Sequence, residues 1–126
     1  MQQNKKQGVD GMLKKIGDYL EIRNFGAETF SVPDPERGNC GEIKAFVETF
    51  TPVKVLYMAS LELDGMEMHD SFRLSVEPGE NTMPLPEMKV INPLLSSDDI
   101  RRVYTVTLKI YASGGVVHKF DSEISF

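Results

Sequence analysis

The sequence predicts an all-β fold, an antiparallel sandwich of about seven strands, and three features carry that expectation. Apolar and polar residues alternate over long stretches after residue 40. Gly, Pro, Asn and Asp mark corners at spacings of roughly 8–12 residues. No helical pattern separates one strand candidate from the next, which argues against a parallel sheet.

Size and charge narrow the class. A chain of 126 residues, 40% hydrophobic and 26% charged, suits one domain with a core that needs no metal or disulfide. Residues 1–23 carry five basic and three acidic side chains, whereas the remainder carries nine basic and sixteen acidic. An acidic body lacks the clustered Lys and Arg that follow a phosphate backbone, so nucleic acid is not an expected partner. Cys40 is the single cysteine, so no internal disulfide is available. No apolar run approaches a membrane span, and the opening MQQNKKQGVDG lacks the apolar stretch of a signal peptide. A cytoplasmic protein is therefore expected.

Residues 1–8 are polar and are expected to be disordered. Val9, Met12, Leu13, Ile16 and Leu20 then form one stripe at helical spacing, which predicts an amphipathic helix over 9–22 with Asp10 as N-cap. Gly11 and Gly17 each weaken it by roughly 1 kcal/mol. The competing reading is a strand beginning near Asp18, because Leu20, Ile22 and Asn24 also fit a period of two. The sandwich itself is assigned to 23–126.

Thr29–Val32 is a short apolar run halted by Pro33-Asp34-Pro35, and Asn39-Cys40-Gly41 is read as closing that loop. In Glu42–Phe50, Ile43, Ala45 and Val47 face one way and Glu42, Lys44 and Glu48 the other. Phe46 and Phe50 interrupt the polar face. Val53–Leu63 places Val53, Val55, Tyr57, Ala59, Leu61 and Leu63 on one side. Asp64-Gly65 follows and is the strongest short-range hairpin signal, since both central positions of a type I′ turn need positive φ.

The return strand carries Met66, Met68, Phe72, Leu74 and Val76 on even positions, and Pro78-Gly79 turns the chain. Pro84 and Pro86 confine the segment after Asn81–Met83 to an edge or a loop. Met88–Ile91 is a short strand, and Ser96 or Ser97 caps one helical turn before Asp98-Asp99. Tyr104, Val106, Leu108 and Ile110 alternate with Thr105, Thr107 and Lys109. After Ser113-Gly114-Gly115, Val116, Phe120, Ile124 and Phe126 alternate with Lys119, Asp121, Glu123 and Ser125. Strands so numerous and evenly spaced suit an immunoglobulin-like sandwich, with a barrel as the alternative.

Chemistry is scarce. His69 beside the hairpin and His118 on the apolar side of the last strand do not complete a metal set with one cysteine. Cys40, in a Gly-rich turn, reads as exposed, but no local signature supplies the base and oxyanion site a nucleophile needs. Ser96-Ser97 with Asp98-Asp99 lacks the alternating oxygen ligands of a calcium loop. Met58, Met66, Met68, Met83 and Met88 make the middle of the chain Met-rich, and most are read as core. No enzyme activity, cofactor or metal is expected.

The runs LELDGMEM (61–68), LSVEPGENTMPLP (74–86), VINPLL (90–95) and VYTVTLKIYASGGVV (103–117) resemble the immunoglobulin-like accessory sandwich of glycoside hydrolase family 2. Leu95 stands where that family often has Trp, and the catalytic barrel is missing. The resemblance therefore implies the non-catalytic sandwich alone. The segments 37–47, 52–65 and 104–110 are similar to the opening strands of arrestin-like domains, which are non-catalytic adaptors.

The functional expectation is a non-catalytic module that binds a protein partner, or a second copy as a homo-oligomer, through a sheet face or edge. Its candidate surfaces are Phe46 and Phe50, the edge 83–86, and Met66 with Met83 if the two share one exposed patch. The alternative is a small-ligand or carbohydrate binder using loops 33–41, 64–65 and 92–99, which offer no aromatic ring for stacking on a sugar.

Overall fold

A computed structural model of the chain describes residues 14–34, 36, 38–91 and 103–125. Nine strands follow in order: β1 (Lys14–Ile16), β2 (Leu20–Asp34), β3 (Gly38–Thr51), β4 (Val55–Leu63), β5 (Met66–Val76), β6 (Gly79–Pro84), β7 (Met88–Ile91), β8 (Val103–Tyr111) and β9 (Val117–Ser125). One sheet runs β1-β2-β3-β6, with β7 also paired to β3, and the second runs β5-β4-β8-β9. Every pairing is antiparallel. The two sheets close over one core that takes Phe25, Ile43, Val47 and Met88 from the first and Leu61, Leu74, Leu108 and Phe120 from the second. The fold is an all-β sandwich.

Alternation explains the core directly. In β8, Tyr104, Val106, Leu108 and Ile110 are buried while Val103, Thr105, Thr107, Lys109 and Tyr111 are not. In β3, Ile43, Ala45, Val47, Thr49 and Thr51 point inward. The two buried threonines keep their hydroxyls paired: Thr51 Oγ1 donates to the Val53 carbonyl at 2.6 Å and Thr49 Oγ1 to that of Asn81 at 3.4 Å. Pairing of this kind removes most of the cost of burying a polar group.

The corners follow their turn residues. Asp64 (φ 50°) and Gly65 (φ 80°) both adopt the left-handed conformation that a type I′ hairpin requires. Asp64 also fastens the turn to β8: its amide donates to the Thr105 carbonyl at 2.9 Å, and its Oδ1 accepts from the Thr105 amide at 2.8 Å. Asp64→Ala should therefore cost about 1–2 kcal/mol, combining a lost hydrogen bond with a β-carbon at positive φ. Urea unfolding measures it, and Asp64→Asn, which retains an acceptor and tolerates positive φ, should recover most of the loss.

Several local expectations change in the folded chain. The helix expected over 9–22 is absent where the chain is described: Lys14–Ile16 and Leu20–Ile22 are paired strands joined by a turn at 17–19. Residues 9–13 lie outside the described residues. The competing period-two reading from Leu20 is the observed one. Ile16 and Leu20 satisfy both patterns, and pairing with β2, together with complete burial of Ile16, Leu20 and Ile22, decides for the strand. Gly17 (φ 61°) forms the turn, and the Tyr57 hydroxyl, donating to the Ile16 carbonyl at 3.3 Å, occupies the space a β-carbon there would need.

Pro33 does not end β2. The strand continues to Asp34, opposite Gly38, so residues 38–41 belong to β3 rather than to a loop. The missing amide is tolerated because β1 covers only the first residues of β2, leaving the remainder an edge on that side. Cys40 is consequently buried rather than exposed in a turn. Past β6, the Leu85 amide donates to the Ala45 carbonyl at 2.9 Å, so the Pro84-Leu85-Pro86 segment stays attached to β3 between β6 and β7. The expected helical turn at 96–99 and the side chain of Phe126 lie outside the described residues.

Candidate functional site

The surfaces named from sequence separate in three dimensions. Phe46 and Phe50 do face outward from β3, and both are half-buried. Phe46 sits opposite Gly26 on β2, where an added β-carbon would come within 2.8 Å of its Cζ, so the ring lies against glycine backbone. Phe50 lies under the Arg23 guanidinium at 5.0 Å. Around them, Arg23 meets Glu80 at 2.8 Å and Glu21 at 3.2 Å, Lys44 meets Glu87 at 3.5 Å, and Asn24 Nδ2 donates to Glu48 at 3.1 Å. The Arg23 pKa is raised, chiefly by its hydrogen bond to Glu80. On this face Arg23 lies over Phe50 and Lys44 over Phe30, so charged groups cover two of its three rings, while Phe46 packs on Gly26.

Met66 and Met83 do not share a patch. Met66 stands at the tip of the β4–β5 hairpin, 67% exposed. Met83 belongs to the other sheet, opposite the buried Val47, and packs against the core. Antiparallel partners point to the same face, so the inward direction of Val47 determines that of Met83. Met88 is buried, and Met68 packs partly against the core. Met58, one of five methionines of which most were expected in the core, is exposed.

Met58 belongs to a run of exposed apolar side chains on the outer face of the second sheet. Across the second sheet, Arg73 (β5), Met58 (β4), Tyr111 (β8) and Val117 (β9) are successive cross-strand partners. Exposures are 57% for Leu56, 41% for Met58, 39% for Tyr111 and 43% for Val117, and Val116 in the adjoining turn is also exposed. The Tyr111 hydroxyl lies 3.0 Å from Oγ of the buried Ser60, which fixes the ring over the middle of the sheet. One signal for this surface was present in the sequence: residues 55–59 are Val-Leu-Tyr-Met-Ala, apolar on both faces of a strand that needs only one.

Cations border the apolar row. Arg73 flanks Met58, and on the next row Lys109 and Lys119 are cross-strand partners. Lys109 is held by Glu62 at 2.6 Å, whereas Arg73 and Lys119 have no ion-pair partner among the described residues. The Lys109 pKa is raised above 10.5, chiefly by its hydrogen bond to Glu62. A raised cation contributes fully below its unfolded value, so the Lys109 contribution is present at neutral pH and falls away as alkali deprotonates the ammonium. Beyond that row the same face turns acidic and hydroxylic, with Glu62, Asp121, Glu123, Thr105 and Thr107; Thr107 Oγ1 donates to Asp121 Oδ1 at 2.6 Å.

Other groups with chemical potential are engaged elsewhere. His69 meets the Glu87 carbonyl at 2.7 Å, linking β5 to the loop between β6 and β7. His118 is half-buried opposite the inward-facing Ile110. Among the described residues no group of three or more His, Cys, Asp and Glu side chains is arranged to hold a metal ion. An open groove of about 430 Å³ lies where the β2 and β9 edges approach each other, lined by residues including Glu28, Phe30 and Ile124, and Thr29 Oγ1 donates across it to the Ser125 carbonyl at 3.0 Å. No described helix is long and apolar enough to cross a membrane.

No protein-family model matches the chain, and no curated protein matches it at a significant level. Among solved structures it is similar to one described as the crystal structure of a protein from Archaeoglobus fulgidus, with 14% identity and a TM-score of 0.43 over 83% of this chain and 97% of that one, a likeness too slight to carry an argument.

Proposed function

We propose that the chain is a non-catalytic interaction module of immunoglobulin-like type, which receives a protein partner on the outer face of its four-stranded sheet. The contiguous row Met58, Tyr111 and Val117, extended by Leu56, carries this reading. Exposed apolar side chains scattered singly are ordinary, whereas a contiguous patch edged by charge is the usual form of an interaction site. Arg73 and Lys119, without an ion-pair partner among the described residues, suit a partner with acidic groups around an apolar centre. Strand order supports the immunoglobulin-like assignment. β2 and β3 with β6 and β7 occupy the places of strands A, B and E, and β5-β4-β8-β9 those of C′-C-F-G. The resemblance to a glycoside hydrolase accessory sandwich agrees, because that domain is itself non-catalytic.

The test introduces two negative charges into the patch. Leu56 and Met58 are exposed, so the paired substitutions Leu56→Asp and Met58→Glu should leave the unfolding transition within about 1 kcal/mol of wild type. A partner captured from cell extract by the wild-type protein should bind the variant at least about tenfold more weakly, as expected when a charge is buried without a counterpart. Equal capture by a variant of unchanged stability would remove this face from consideration.

A further inference from the structure

We infer that the protein pairs with a second copy of itself along β9, the two strands running antiparallel and centred on Phe120, so that two four-stranded sheets become one continuous sheet. The inference deepens the interaction reading by naming one partner, and it uses the sheet edge rather than the apolar face.

Sheet edges in folded proteins are normally blunted by short strands, bulges or proline. The other edges here carry such devices. β1 has three residues, the part of β2 beyond β1 contains Pro33, β6 ends in Pro84 with Pro86 just beyond, β7 has four residues, and the pairing of β5 with β4 shifts register at two places. β9 is neither shortened, bulged nor interrupted by proline, and its outward charges are its one guard. It runs nine residues from Val117 to Ser125 without Pro or Gly, in unbroken register with β8, and it ends its sheet. β2 approaches its last residues, where Thr29 meets Ser125, and the Lys14 ammonium of β1 lies over the Phe120 ring at 5.2 Å, but among the described residues no strand other than β8 pairs with the backbone of 117–122.

Charge selects both the partner and the register. On the outer face the strand reads Val117, Lys119, Asp121, Glu123. Residues opposite each other in an antiparallel pair share a face, so a two-fold axis must pass through a residue position and not between two. Centring on Phe120 sets each Lys119 opposite the other copy's Asp121, twice, with Val117 opposite Glu123. Centring one residue earlier opposes Lys119 to itself, and centring one later opposes Asp121 to itself. Of these three registers, only that centred on Phe120 brings no like charges together. Lys119 also has no ion-pair partner within its own chain among the described residues, so the pairing would supply one.

Sedimentation equilibrium on the full chain, from micromolar to about 1 mM, provides the test, since a contact between single strands belongs to the smallest class of specific interface. The expected result is a monomer–dimer equilibrium. Lys119→Asp alone and Asp121→Lys alone should each weaken the dimer by about tenfold, because each replaces two attractive pairs with two repulsive ones. The double exchange Lys119→Asp with Asp121→Lys should restore it. Glu123→Lys, which faces Val117 in this register, should change it by less than about threefold. Circular dichroism confirms that each variant folds. A monomer throughout, a dimer indifferent to Lys119→Asp, or a double exchange that fails to restore association would each overturn the inference. Retention of a partner through Leu56 and Met58 is measured separately, so a monomeric result leaves the face reading standing.

Discussion

Leu108→Ala is expected to lower the free energy of unfolding by about 3–5 kcal/mol, the largest effect of any single substitution considered. Leu108 is fully buried on β8 and lies between Leu61 of β4 and Phe120 of β9, both also buried. Truncation there removes the transfer free energy of three carbons and leaves a void that flanking strands, held by their own ladders, cannot close. Against a total stability of roughly 5–15 kcal/mol for a domain of this size, the midpoint of thermal unfolding should fall by about 10 °C or more. The informative control is its neighbour. Thr107 faces outward and bonds Asp121, so Thr107→Ala should cost only about 1 kcal/mol. Equal losses at 107 and 108 in urea unfolding would mean that β8 does not bury alternate side chains.

Gly17→Ala should be the second large effect, and its sign separates two structures for the same residues. Were 9–22 a helix, replacing an interior glycine by alanine would stabilise it by about 1 kcal/mol. In the observed turn Gly17 has φ 61°, which costs an alanine about 1–2 kcal/mol. The new β-carbon must also displace the Tyr57 hydroxyl from the Ile16 carbonyl, which adds about 1 kcal/mol. A destabilisation of about 2–3 kcal/mol follows. It cannot exceed the free energy that docks β1, because the strand is free to detach instead. Detachment would appear as lost amide-exchange protection over 14–22 while β3 and β8 stay protected. Two comparisons isolate the causes. Gly65→Ala meets no atom within 4 Å, so only its φ of 80° is penalised. In a Tyr57→Phe background, Gly17→Ala should lose about a third to a half of its effect, since the obstructing oxygen is gone.

The interaction surface was partly legible. The sequence correctly put Phe46 and Phe50 on the outer side of β3. What it could not show is that Gly26 and Arg23, 20 and 27 positions earlier, lie against those rings. Met66 and Met83 looked alike by composition, yet one occupies a hairpin tip and the other shares the inward direction of Val47. Cys40 looked exposed because Gly and Asn surround it. Long-range pairing of β2 with β3 turned that apparent loop into strand.

Taken alone, the sequence determined that the body of the chain is all-β, which residues of β3 and β8 alternate inward, and where it turns at Asp64-Gly65. These are local properties, since a strand's period of two and a turn's need for positive φ are properties of adjacent residues. Tertiary structure decided whether Lys14–Ile16 was strand or helix, and which exposed side chains became neighbours. Leu56 and Met58 gained Tyr111 and Val117 only because β4 pairs with β8 and β8 with β9. Sheet order sets lateral adjacency, and it depends on how two whole faces bury each other, which no single window of sequence contains.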